Sequence, residues 1–84
     1  MFKLIYAKSV VKDLRKIASH RLSSIKEGIE ELETFPNISQ ITRLKNHPLA
    51  EYRLRIGNYR VLFDVSWKKQ EIYILKIGHR RDVY

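Results

Sequence analysis

The sequence predicts an α+β fold: a first strand, two helices, then a run of antiparallel strands with the helices packed on one sheet face. Three observations carry this. Apolar residues recur at helical spacing between residues 10 and 32, period-two alternation takes over from residue 52, and a glycine-first turn at Gly57-Asn58 joins two alternating runs. The 84 residues suffice for a single domain, residues 1–84, with little room for a second core. A hydrophobic fraction of 44% argues against disorder.

Taken in order, Phe2-Lys3-Leu4-Ile5-Tyr6 alternates loosely and reads as the first strand. Ser9 is a good N-cap for a helix whose Val10, Leu14, Ile17 and Ala18 share one face. A second helix shows Leu22, Ile25, Ile29 and Leu32 opposite Lys26, Glu27, Glu30, Glu31 and Glu33, with a weakly marked break near Ser19-His20. Phe35-Pro36-Asn37 ends it, because the residue before proline is pushed out of the helical region. Ile41 to Lys45 is a short strand candidate before the His47-Pro48 loop. Tyr52 to Ile56 and Tyr59 to Val65 form the hairpin, and a loop at Trp67-Lys68-Lys69-Gln70 leads into a last strand, Glu71 to Ile77. Repeats, low-complexity tracts and linkers are absent from the sequence.

The absence of cysteine excludes a disulfide framework and thiolate metal sites and fits a reducing compartment. Three isolated histidines without ligand spacing add no metal site. The opening Met1 to Tyr6 is too short for a signal peptide or membrane span, so a cytoplasmic location and no membrane partner are expected. Net charge is +8 and unevenly spread. Residues 1–42 hold seven basic and five acidic side chains, a balance of +2, whereas residues 43–84 hold ten and four, a balance of +6. The second half is therefore built to face an anion, either nucleic acid or an acidic protein.

Alternation decides which of those charges share a face. If Leu54 and Ile56 point toward the helices, Arg53 and Arg55 point to the open face. Tyr59, Val61, Phe63 and Val65 form the apolar set of the partner strand, which sends Arg60 and Asp64 to the same open face. Three arginines crowded on a hairpin cost free energy unless an anion sits among them. Asp64 or Glu51 can neutralise one of them but not three, which favours a bound phosphate.

At this point the sequence resembles the RelE/ParE superfamily of toxins. The residues that carry the resemblance are Arg43-Leu44-Lys45, the run from Tyr52 to Val61, and the tail Ile77-Gly78-His79-Arg80-Arg81-Asp82-Val83-Tyr84. It implies a compact fold like that of small microbial ribonucleases and a toxin held inactive by a short acidic antitoxin encoded beside it. For the RelE-like branch it implies an endonuclease that cuts messenger RNA on the ribosome without a cofactor, leaving 2′,3′-cyclic phosphate and 5′-hydroxyl ends. Carried over by position, Arg60, Arg80 and Tyr84 fall at catalytic places, while Arg53, Arg55, Arg81 and Lys45 fall at RNA-gripping places. Two departures stand out. Arginine rather than lysine fills the paired strand positions, and Tyr84 ends the given sequence.

The chemistry is consistent with the residue types. Charge builds on phosphoryl oxygens as the ribose 2′-hydroxyl attacks phosphorus, and arginines fixed on a rigid sheet stabilise that state. Tyr84 can stack a base or help take the 2′-proton, although a phenol with an ordinary pKa near 10 is a weak base at neutral pH. His79 is open between two roles, a proton-transfer group and a residue that caps the strand end. His20 and His47 read as surface residues, and Trp67 as a packed hairpin residue rather than an RNA-stacking platform. Two rivals remain: a ParE-like inhibitor of DNA gyrase without nuclease activity, and a non-catalytic RNA-binding module.

Overall fold

The computed structural model describes residues 1–83. Five strands form one sheet in the order β1-β5-β4-β3-β2: β1 is Lys3–Tyr6, β2 Ile41–Arg43, β3 Tyr52–Ile56, β4 Tyr59–Ser66 and β5 Glu71–His79. β1 runs parallel to β5, and the other neighbours are antiparallel. Helices α1 (Lys8–Arg15) and α2 (Ser19–Glu30) follow β1, with a 3₁₀ turn over Glu31–Thr34, and a single helical turn, α3 (Arg80–Val83), is the last element among the described residues. The α+β architecture expected from the sequence is the one observed.

The main core lies between the helices and the sheet. Val10 and Ile17 from the first helical segment meet Ile25, Ile29 and Leu32 from the second over Leu54, Val61, Phe63, Ile72, Ile74 and Ile77, all buried. At one end an aromatic cluster finishes it: Tyr52 stacks on Phe63 at 5.4 Å, and Phe35 and Phe2 each meet Trp67 edge-on or tilted at 5.4 Å. Trp67 therefore packs, as the sequence suggested, although its outer side stays exposed.

Two local expectations are corrected. Ser9 does not cap α1; the helix starts at Lys8 with Ala7 as its flanking residue, and the Ser9 hydroxyl donates to the Leu75 carbonyl at 3.3 Å. The reason is tertiary. β1 stops pairing with β5 at Ile74, so the rest of the β5 edge needs other partners, and α1 supplies them. The Ile77 amide donates to the Asp13 carboxylate at 3.0 Å, and Lys76 pairs with the same carboxylate at 3.7 Å.

The second correction concerns the far side of the sheet, which is not simply open. Leu62 is fully buried there, together with Ala50 and Val83, with Leu44 and Leu75 packed against them. A bulge in β5 opposite Leu62 and Phe63 breaks the strict alternation. The signal was legible: Val61-Leu62-Phe63 is a continuous apolar run, which marks a strand buried on both faces.

Candidate nucleic acid interface

The β3–β4 hairpin is set by Gly57, whose φ of +57° suits glycine at the first turn position. Register then fixes the arginines. Arg55 lies directly across from Arg60, and Arg53 across from Leu62, all on the face away from α1 and α2. The Arg55 amide donates outward to Gln40 at 3.0 Å, so the Arg55–Arg60 pair is the non-hydrogen-bonded kind, in which side chains approach most closely. Backbone geometry thus sets two arginine side chains directly opposite each other at their base.

Each arginine is held differently. Arg60 Nη1 donates to the Gly57 carbonyl at 2.9 Å and the Tyr59 carbonyl at 3.0 Å, folding its guanidinium over the hairpin turn. Arg53 Nη2 donates to Thr42 Oγ1 at 3.3 Å and lines a small hollow with Gln40, Ile41, Thr42 and Arg55. Arg55 is exposed. Asp64 does not neutralise Arg60: it stands four residues further along β4, about 13 Å away at strand spacing, beyond Leu62. Its carboxylate instead accepts the Glu51 amide at 2.7 Å.

The tail folds back onto this face. Gly78 lies across from Arg60, and the Arg80 amide donates to the Asn58 carbonyl at 2.8 Å, tying the start of α3 to the hairpin turn. Arg80 and Arg81 are exposed on that turn. Lys45 lies beyond β2 in a separate hollow lined by Arg43, Leu44 and Asn46, so it extends the basic surface rather than joining the arginine row. Tyr84 falls outside the described residues.

His79 is placed elsewhere. It lies across from Tyr59, one residue beyond Gly78, and so faces the helix side of the sheet. There it borders a cavity of about 200 Å³ with Asp13, Lys16, Ile17, Tyr59, Lys76 and Asp82. Its ring meets Tyr59 edge-on at 5.7 Å, and its Nδ1 accepts the Arg81 amide at 3.2 Å. The contact with the Arg81 amide is one that a strand-end cap makes. Among the described residues no cluster of three or more His, Asp or Glu could hold a metal ion, and no helix is long and apolar enough to cross a membrane.

The fold and this basic face define a class: the chain has the architecture of RelE toxins. It superposes on the toxin of the RelE–RelB complex from Pyrococcus horikoshii with a TM-score of 0.78, at 29% identity and 98% coverage of both chains. The RelBE2 complex of Mycobacterium tuberculosis gives 0.81 at 21% identity, covering 94% of this chain and 98% of that one. In sequence, the RelE1 toxin of Methanocaldococcus jannaschii is 38% identical over 86 residues, spanning 99% of this chain and 94% of the relative. RelE3 of the same organism is 31% identical, spanning 98% and 94%. The profile of the ParE toxin of type II toxin–antitoxin systems matches residues 4–84. The chain belongs to that family, within the RelE/ParE superfamily.

Proposed function

We propose that this toxin is a ribosome-dependent messenger-RNA endonuclease, neutralised by a short acidic antitoxin encoded beside it. The observation that carries the reading is the arginine row: Arg55 and Arg60 paired across the hairpin, Arg53 beside them, and Arg80 and Arg81 on the turn that follows Gly78. A phosphodiester is the ligand that relieves such crowding, since its oxygens accept from several guanidinium groups at once. In the cleavage step the ribose 2′-oxygen attacks phosphorus and loses its proton. The 5′-oxygen leaves and takes one up, giving a 2′,3′-cyclic phosphate and a 5′-hydroxyl. Arg60 and Arg80 stabilise the charge that builds on the phosphoryl oxygens, and Arg53, Arg55, Arg81 and Lys45 grip the backbone. Tyr84 is assigned to base stacking or to the 2′-proton. His79 is assigned a positioning role through Arg81 rather than contact with substrate.

Among the described residues no carboxylate stands beside the Arg55–Arg60 pair in the strand register, so the reading relies on charge stabilisation and on substrate geometry supplied by the ribosome. The antitoxin partner is carried over from RelE–RelB complexes among the relatives. The test is induced expression in cells followed by mapping of 5′-hydroxyl ends on ribosome-bound transcripts. New ends that disappear on co-expression of the antitoxin support the reading. The matching family is described as the ParE toxin, which keeps a second reading, a ParE-like inhibitor of DNA gyrase, in view. It predicts intact transcripts and lost supercoiling in the same cells.

A further inference from the structure

The small core on the arginine face has a specific job. A methyl group added at Gly78 would lie 2.9 Å from Cγ2 of Val83, closer than carbon atoms pack. Val83 is 8% exposed and shares its cluster with Leu62 and Ala50. Gly78 thus leaves a notch in β5, directly across from Arg60, and Val83 fills it. Two hydrogen bonds secure the same turn, Arg80 N–H to Asn58 and Arg81 N–H to His79 Nδ1.

A single helical turn has no stability of its own, because nucleating a helix costs more than one turn returns. Something must hold α3 down, and beside those two hydrogen bonds stands a buried valine in a notch opened by glycine. We infer that Gly78 and Val83 form a seat that positions Arg80 and Arg81 beside the Arg55–Arg60 pair. Neither residue touches RNA. Both act by fixing where the tail cations stand, and the kinetic part of the inference rests on the endonuclease reading above.

The seat makes a reciprocal prediction. Gly78→Ala drives a methyl into Val83 and lifts the tail. Val83→Ala removes the clashing carbon, so in the double variant the new methyl occupies the vacated space. The two substitutions are therefore expected to be strongly non-additive, with the double variant better seated than Gly78→Ala alone. Val83→Asp provides a second, independent way to lift the tail, by burying a charge.

The experiment uses the full chain and two readouts. Brief trypsin treatment, read by mass spectrometry, reports cleavage after Arg80 and Arg81, which requires the turn to leave the sheet. Messenger-RNA cleavage on programmed ribosomes gives kcat and KM separately. Gly78→Ala and Val83→Asp are expected to expose both sites and to lower kcat by about 10²-fold, the scale for misplacing a catalytic group by about 1 Å. KM changes far less, because Arg53 and Arg55 still hold the strand. Adding Val83→Ala to Gly78→Ala is expected to restore both tail protection and most of kcat.

Equal trypsin resistance in all variants would overturn the seat, as would failure of the double variant to recover. A released tail with unchanged kcat would overturn its role in positioning. A wild-type protein that cuts no RNA on ribosomes would overturn the endonuclease reading, and with it the kinetic half of the proposal. The trypsin pattern decides the seat itself in either case.

Discussion

Arg55 and Arg60 show how function sets the terms for single residues. Backbone register sets two like-charged side chains directly opposite each other where the strands approach most closely, an arrangement that destabilises the pair. Arg55→Ala is therefore expected to stabilise the fold by a few tenths of a kcal/mol while weakening RNA binding. Thermal melts at low and high salt check the sign, since screening should shrink the gain. Arg60 is different because it also ties down the turn carbonyls. Replacing Arg60 or Arg80 with alanine is expected to cut the rate on the order of 10²–10³ each, the effect of losing one preorganised donor. Lysine restores binding at Arg55 better than it restores rate at Arg60, because a point charge holds a phosphate but lacks the planar fork whose Nη1 takes both turn carbonyls and leaves the other N–H groups for an anion.

At the scale of elements, the packing of β1 against the end of α2 leaves a titratable group that reports on the interface. Burial, and then the negative fields of Glu30 and Glu33, push the Tyr6 phenol above its ordinary value of 10.0. A folded-state value above the unfolded one means that the native state holds the proton more tightly. That contribution is complete below about pH 10 and is lost as pH rises through the folded value. Denaturant midpoints measured upward from pH 9 are expected to fall, and Tyr6→Phe should flatten the fall. The flattening is partial, because Tyr73 is raised in the same direction, chiefly by its hydrogen bond to Glu71. An unchanged slope in Tyr6→Phe would show that the loss arises elsewhere. Asp13 illustrates a different kind of element-level economy: where β1 has run out, its carboxylate accepts the Ile77 amide, so a helix side chain stands in for a missing strand partner on the β5 edge.

For the whole molecule, the asymmetry of charge sets the behaviour. The excess of +8 lies mostly after residue 42, and the β3–β4 hairpin places Arg53, Arg55 and Arg60 on one face. Contacts from Arg53, Arg55, Arg60, Arg80 and Arg81 to successive phosphates predict single-strand binding whose logarithm falls with log salt at about −0.7 per contact. A titration from low to moderate salt measures that slope, and a value near zero would mean that the arginine face does not bind the backbone. Naked RNA is expected to be a poor substrate. An 84-residue chain offers too little surface to orient a flexible strand, and the missing order must come from a larger assembly.

The sequence by itself determined the order of the elements as far as β5, the hairpin and its turn, and the sharing of a face by Arg53, Arg55 and Arg60. These follow from local rules: period-two alternation, helical spacing, and a glycine that accepts positive φ. It also pointed to the tail arginines, because their chemistry stands out in composition alone. What only the tertiary structure decided was where the tail goes and which side of the sheet each of its residues meets. Gly78 and Val83 are five residues apart in the chain, and no periodicity announces that one leaves room for the other. His79 looked like part of the arginine cluster because it neighbours Arg80, yet strand alternation carried past Ile77 turns it to the helix side. Ala50 acquires meaning only once a folded-back turn brings Val83 onto the cluster that it shares with Leu62. Proximity in sequence reports composition, whereas a site is made by register and packing, and both are settled by contacts between residues far apart in the chain.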